Sequence, residues 1–169
     1  MTVLVFLNVY GLNAVVQDGN QIYGNETMTE LEIHGTVLLN GTKVTKRLLV
    51  YGKLEAHDAE IEKMEIYGEA VLDHCLVQKK STVHGKLRAT DSTFAKELSV
   101  AAHRIALNAC TLHGLRILKS KGRAALQIVE LKEGTVVDGP VIFEGRKGEI
   151  TMDRESEITG KVIGGKPRV

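Results

Sequence analysis

The chain is predicted to be an all-β protein: a single-stranded, right-handed parallel β-helix (β-solenoid) of triangular section, with about 16–17 residues per coil. Three observations predict this. An aliphatic residue, one variable residue and a glycine recur, most regularly as Ile33-His34-Gly35, Val50-Tyr51-Gly52, Ile66-Tyr67-Gly68 and Val83-His84-Gly85, and these glycines fall 17, 16 and 17 residues apart. Between the glycines, apolar and polar residues alternate with period two, as they do in strands whose successive side chains point to opposite faces. About three such runs fit in one repeat, so each unit is a coil that buries its inward residues only by stacking on the next, about 4.8 Å away. A left-handed hexapeptide helix needs an apolar residue every six positions, which this spacing does not supply. Right-handed connection is also the rule for parallel strands in one sheet.

Composition agrees with a column rather than a ball. The 169 residues are 43% hydrophobic, with no Trp and only two Pro, and form one domain over 1–169 with enough apolar material for a core. A net charge of +1 gives no overall field to attract nucleic acid or an anionic membrane, so any electrostatic partner must read a local stripe and no specific nucleic acid is expected. Two cysteines are too few for a disulfide framework.

Residues 1–30 read as irregular N-terminal coils or a cap. The copies Val9-Tyr10-Gly11 and Ile22-Tyr23-Gly24 set contracted spacings of 13 and 11 residues before Gly35. Thr2–Leu7 is apolar but too short to span a bilayer and reads as a capping strand. The alternative reading makes residues 2–14, ending at Leu12-Asn13-Ala14, the remnant of a signal peptide.

Residues 31–114 are the regular coils. Inward rows are expected at Ile33, Val50, Ile66, Val83 and Val100; at Leu31, Leu48, Met64, Ser81 and Leu98; and at Val44, Ile61, Val77 and Phe94. Val100-Ala101-Ala102 is a degenerate copy of the tripeptide. Thr42, Ala59, Cys75, Ser92 and Ala109 form a row of small residues at a tight inward corner. Cys75 and Cys110 then lie about two coils apart, on the order of 10 Å, beyond disulfide reach, and are expected to be free and buried.

Residues 115–169 read as lengthened C-terminal coils and a tail. The copies Leu112-His113-Gly114, Val137-Asp138-Gly139 and Ile158-Thr159-Gly160 stand 25 and 21 residues apart, with a basic loop at Lys119–Arg123 and a frayed end at Gly164–Val169. Gly145-Arg146-Lys147-Gly148 is a basic turn without the strand-turn-helix setting of a phosphate-binding loop.

Two outward rows are candidate interaction stripes. The four tyrosines, with His34, His84 and His113, stand between the aliphatic residue and the glycine, and His34, Tyr51, Tyr67 and His84 make a continuous ring stack. Such a stack stabilises the sheet, and it is also a candidate track for sugar rings, a peptide or another filament. The second stripe is Lys46, Lys63, Lys79 and Lys96. Like charges about 5 Å apart repel by about 0.8 kcal/mol per pair even in water, which Glu62, Glu65 and Glu97 can offset; unmatched, the stripe is an edge for anionic headgroups.

The polar corner at Asn40, His57-Asp58, Asp73-His74, Asp91 and Asn108 suits residues that tolerate left-handed backbone. Asp58 and Asp73 are also the positions at which a small polysaccharide-active enzyme would place its carboxylates. No zinc-type Cys/His set, nucleophile elbow or cofactor motif is found, and no cofactor, metal or catalytic residue is assigned.

Leu31-Glu32-Ile33-His34-Gly35, Leu48-Leu49-Val50-Tyr51-Gly52, Met64-Glu65-Ile66-Tyr67-Gly68 and Ser81-Thr82-Val83-His84-Gly85, on coils near 17 residues, resemble the bactofilins, bacterial polymer-forming cytoskeletal proteins. The resemblance covers residues 31 to 114. It implies a non-enzymatic structural or scaffolding protein, self-association end to end into nucleotide-free filaments, and a cytoplasmic, membrane-associated location with residues 2–7 as the membrane segment. The alternative expectation is an exported carbohydrate-binding or adhesin-like β-helix, in the periplasm or at the cell surface, using the Tyr/His stripe.

Overall fold

A computed structural model describes residues 14–119, 126–145 and 148–168, and their regular structure is entirely β-strand. The apolar stretch Thr2–Leu7, the copy at Val9–Gly11, most of the basic loop at Lys119–Arg123, and Arg146 with Lys147 lie outside the described residues. The strands pair in parallel as a β-solenoid of about nine coils. One row makes the count: Gln21, Val37, Leu54, Ala70, Leu87, Ile105, Val129, Ile150 and Pro167 follow one another as Cα partners. The successive spacings are 16, 17, 16, 17, 18, 24, 21 and 17 residues.

Each coil carries three strand segments, as in Leu98–Ala101, Arg104–Asn108 and Thr111–Leu112. In Met64–Asp73 the first two are one strand that passes through a corner at Gly68. The expected inward rows are observed. Ile33, Val50, Ile66, Val83 and Val100 are all at 0% exposure, and the row continues through Ile117 to Phe143. Burying each such side chain contributes about 1.5–3 kcal/mol, which offsets the ordering of the coil. Ser81 replaces an aliphatic residue in its row, and its hydroxyl accepts from the Met64 N–H at 3.0 Å and donates to the Lys79 carbonyl at 3.0 Å. A buried hydroxyl so paired costs little.

The glycine corner is set by close backbone approach. Gly35, Gly52, Gly68 and Gly85 have φ between 139° and 149°, and a Cβ on any of them would overlap the carbonyl oxygen of the glycine one coil earlier. Glycine alone fits. At the degenerate copy the strand stops at Ala101 and restarts at Arg104, and that coil is 18 residues long.

The register corrects several expectations. The first coil is not contracted: Gly19 pairs with Gly35, so the first copy in this row is Gln17-Asp18-Gly19, and Ile22 and Tyr23 pair with Leu38 and Leu39 instead. Gln17 takes the aliphatic position and is buried, and its Oε1 accepts a 2.7 Å hydrogen bond from the Tyr23 hydroxyl. Tyr23 therefore points inward, against the outward expectation. The polar exchange hid the true repeat.

The three last glycine copies belong to a different row. Leu112, Val137 and Ile158 continue Val44, Ile61, Val77 and Phe94. Gly114, Gly139 and Gly160, two residues further on, thus succeed Lys46, Lys63, Lys79 and Lys96 at another corner. There Gly160 packs against the Gly139 backbone so closely that a Cβ would overlap it. His113 accordingly does not extend the ring stack. Likewise Cys110, not Ala109, follows Ser92 in the small inward row, because the 18-residue coil shifts the corner by one residue. Gly164–Val169 is not a frayed tail in its described part: Gly165–Arg168 is a strand paired with Gly148–Thr151. Phe143 fills the space that side chains at Gly148 and Gly165 would occupy, closing the core near this end.

The two kinds of glycine are separable by experiment. Gly52→Ala combines a backbone overlap with a positive φ and is expected to lower stability by about 3 kcal/mol or more. Gly24→Ala, with nothing within 4 Å of the new methyl, is expected to change it by less than about 0.5 kcal/mol. Denaturant midpoints measure both.

Candidate functional site

The ring stripe forms as expected over four coils. Strand pairing aligns His34, Tyr51, Tyr67 and His84, with Asp18 before them and Ala101 after. Ring centroids are 5.0 Å apart for His34 and Tyr51, 5.0 Å for Tyr51 and Tyr67, and 4.8 Å for Tyr67 and His84. The last two pairs are stacked, with planes 11° and 6° apart, while His34 is tilted by 60°. The strand spacing dictates this separation. Because Tyr51 and Tyr67 face their neighbours, they present ring edges and hydroxyls to solvent, although they remain 44% and 38% exposed. A sugar ring stacks on an aromatic face, and here those faces are mostly occupied.

Carboxylates fix the ring ends. The Tyr67 hydroxyl donates to Glu65 at 2.6 Å and His34 meets Glu32 at 2.9 Å. The Tyr67 hydrogen bond, aided by Arg47 at 2.9 Å, holds the Glu65 carboxyl below the usual carboxylate range and raises the phenol.

All four lysines of the second stripe are exposed, two residues past the inward row Val44, Ile61, Val77 and Phe94. Of the four, Lys79 alone is in an ion pair among the described residues, and basic neighbours of the stripe are paired too. Lys79 pairs with Glu62 of the previous coil, Lys80 lies 3.9 Å from Glu97, and Arg116 bridges Glu97 at 3.3 Å and Glu144 at 3.5 Å. Lys46, Lys63 and Lys96 form no ion pair among the described residues. Pairs across coils are the geometry that in-register stacking makes available, and exposed ones contribute up to about 1 kcal/mol each.

The polar corner is left-handed on six successive coils. Gly41, Asp58, His74, Asp91, Ala109 and Glu133 occupy it with φ from 47° to 67°. Its outer surface gathers four titratable groups: His57 Nδ1 lies 3.4 Å from Asp73 Oδ2, His74 Nδ1 3.0 Å from Asp73 Oδ1, and His74 Nε2 3.9 Å from Asp91 Oδ2. Asp58 and Asp73 stand on neighbouring coils, joined by the Asp58 N–H to the Asp73 carbonyl at 3.0 Å. Sequence reasoning named these residues but not this convergence, which needs the offset between the strand-end and corner rows.

Inside the same corner runs a row that reasoning on single residues had taken only as small. The Cys75 N–H donates to the Ser92 hydroxyl at 3.1 Å, the Cys110 N–H to Thr135 at 3.2 Å, and the Thr135 N–H to Ser156 at 3.1 Å. Each polar side chain thus closes the preceding coil's turn. Cys75 and Cys110 are free and buried, as expected, and burial raises both thiols, Cys110 to about 11.

Two measurements check this geometry. A double-mutant cycle of Tyr51→Leu and Tyr67→Leu is expected to give a coupling of about 0.5–1.5 kcal/mol in favour of the stacked pair. Thiol titration at pH 8 is expected to label neither cysteine in the native protein and both after unfolding without reductant. No protein-family model, curated protein or solved structure matches this chain.

Proposed function

We propose that this chain is a non-enzymatic structural or scaffolding β-solenoid. The observation that carries this reading is that its outward rows engage one another from coil to coil: ring faces meet ring faces, and Glu62, Glu65 and Glu97 meet cations of adjacent coils. Nine coils at about 4.8 Å make a rod on the order of 40 Å long, stiffened along both its core and its surface. Contacts with other molecules are then made by coil ends and ladder edges.

End-to-end association of the bactofilin kind requires a terminal coil to offer an open ladder of donors and acceptors. The last described coil offers a blunted one. Inward residues send their N–H to the following coil, as Leu48 does to Lys63, Leu98 to Gly114, Val141 to Lys161 and Gly148 to Gly164, at 2.8–3.1 Å. Pro167, paired with the buried Ile150, holds such an inward position and has no N–H to offer a tenth coil. Lys166 and Arg168 flank it with charge. This favours discrete particles over filaments extended through that end.

Sedimentation and electron microscopy of the purified chain test the proposal. Discrete small species are expected from the wild type, and larger ones from Pro167→Val, which restores the donor. Long filaments of the wild type would overturn the blunted-end reading and favour the polymer-forming one. Glycan binding lost on Tyr51→Ala and Tyr67→Ala would instead favour the carbohydrate-binding alternative.

A further inference from the structure

We propose that the left-handed corner binds a divalent transition-metal ion of the zinc class through Asp73, His74 and Asp91, with His57 as the adjoining fourth group. One ligand atom from each of Asp73, His74 and Asp91 can be chosen so that all three lie within 4.8 Å of one another. Around a tetrahedral ion with bonds of about 2.0–2.2 Å, ligand atoms stand about 3.3–3.6 Å apart. His57 Nδ1 and Asp73 Oδ2, 3.4 Å apart, and His74 Nε2 and Asp91 Oδ2, 3.9 Å apart, stand close to that edge. The side chains of His57, Asp73, His74 and Asp91 are 38–60% exposed, free to make the sub-ångström shifts that closure needs.

The donor chemistry selects the ion. Two imidazoles converge on one carboxylate, and imidazole favours zinc, copper and nickel, whereas calcium and magnesium take oxygen ligands and more of them. An imidazole gives an ion one nitrogen. With His74 Nε2 and Asp91 Oδ2 turned to the metal, His74 Nδ1–H is already placed to donate to Asp73 Oδ1, the usual outer support of a metal-bound histidine, and Asp73 Oδ2, on the His57 side, is the oxygen left to ligate. The solenoid supplies the rest: two successive coils deliver Asp73-His74 and Asp91, the coil before them brings His57, and backbone bonds hold the corner, with the His74 N–H donating to the Thr90 carbonyl at 3.1 Å and the Asp91 N–H to the Asn108 carbonyl at 3.0 Å.

The test is calorimetric titration of the metal-free full chain with zinc chloride, together with its thermal unfolding. One equivalent is expected to bind and to raise the melting temperature, while calcium and magnesium chloride leave it unchanged. His74→Ala and Asp91→Asn are each expected to weaken zinc binding at least tenfold. His74→Ala is a safe variant, because Ala109 adopts the same left-handed conformation in the same row. His84→Ala, in the ring stack, is expected to keep the site. Absence of zinc binding by the wild type, or binding equally tight in His74→Ala and Asp91→Asn, would overturn the proposal.

Discussion

The parallel ladder that joins each coil to the next is the constraint on which everything else rests. Its hydrogen bonds fix the coil spacing near 4.8 Å and keep equal positions in register. Whatever a position does once, it must then do beside a copy of itself. Inside, this favours matched aliphatic rows such as Ile33 to Phe143, where each residue packs on its equivalent. Outside, it brings like charges and like rings within contact of each other. The exterior answers by offsetting opposite charges by one coil and by stacking rings nearly face to face.

The three corners solve the turning problem differently. At the first, glycine backbones approach so closely that no side chain fits. At the second, Gly41, His74, Asp91 and Ala109 in the left-handed region are each followed by a small inward residue, Thr42, Cys75, Ser92 or Cys110, whose hydroxyl or thiol bonds to the backbone and holds the turn. At the third, exposed lysines in the early coils give way to glycines in the late ones. The change coincides with the lengthened coils of 24 and 21 residues.

The same register links fold and function. A rod whose rows satisfy one another is stiff and has few groups left over, so unusual groups stand out. The His57, Asp73, His74 and Asp91 cluster is one, since it brings two imidazoles and two carboxylates together at one corner. Pro167 is the other, since it removes a ladder donor from the last described coil. Both arise from single residues placed on an otherwise repetitive frame.

The amino-acid sequence by itself determined the solenoid, its coil length, the inward rows from Leu31 to Val100 and the stack of His34, Tyr51, Tyr67 and His84, because these follow from periodicity alone. It did not determine register where a coil departs from the pattern. Gln17 stands where an aliphatic residue is expected and is legible as inward only beside Tyr23, its buried partner. Gly114, Gly139 and Gly160 imitate the first glycine row in sequence, yet they follow Leu112, Val137 and Ile158, which pair in the row of Phe94 and so place them at another corner. Charge pairing and the convergence of His57, Asp73, His74 and Asp91 were likewise decided by tertiary structure. Periodicity says which row a residue joins, but contacts between rows depend on how far one coil is shifted against the next.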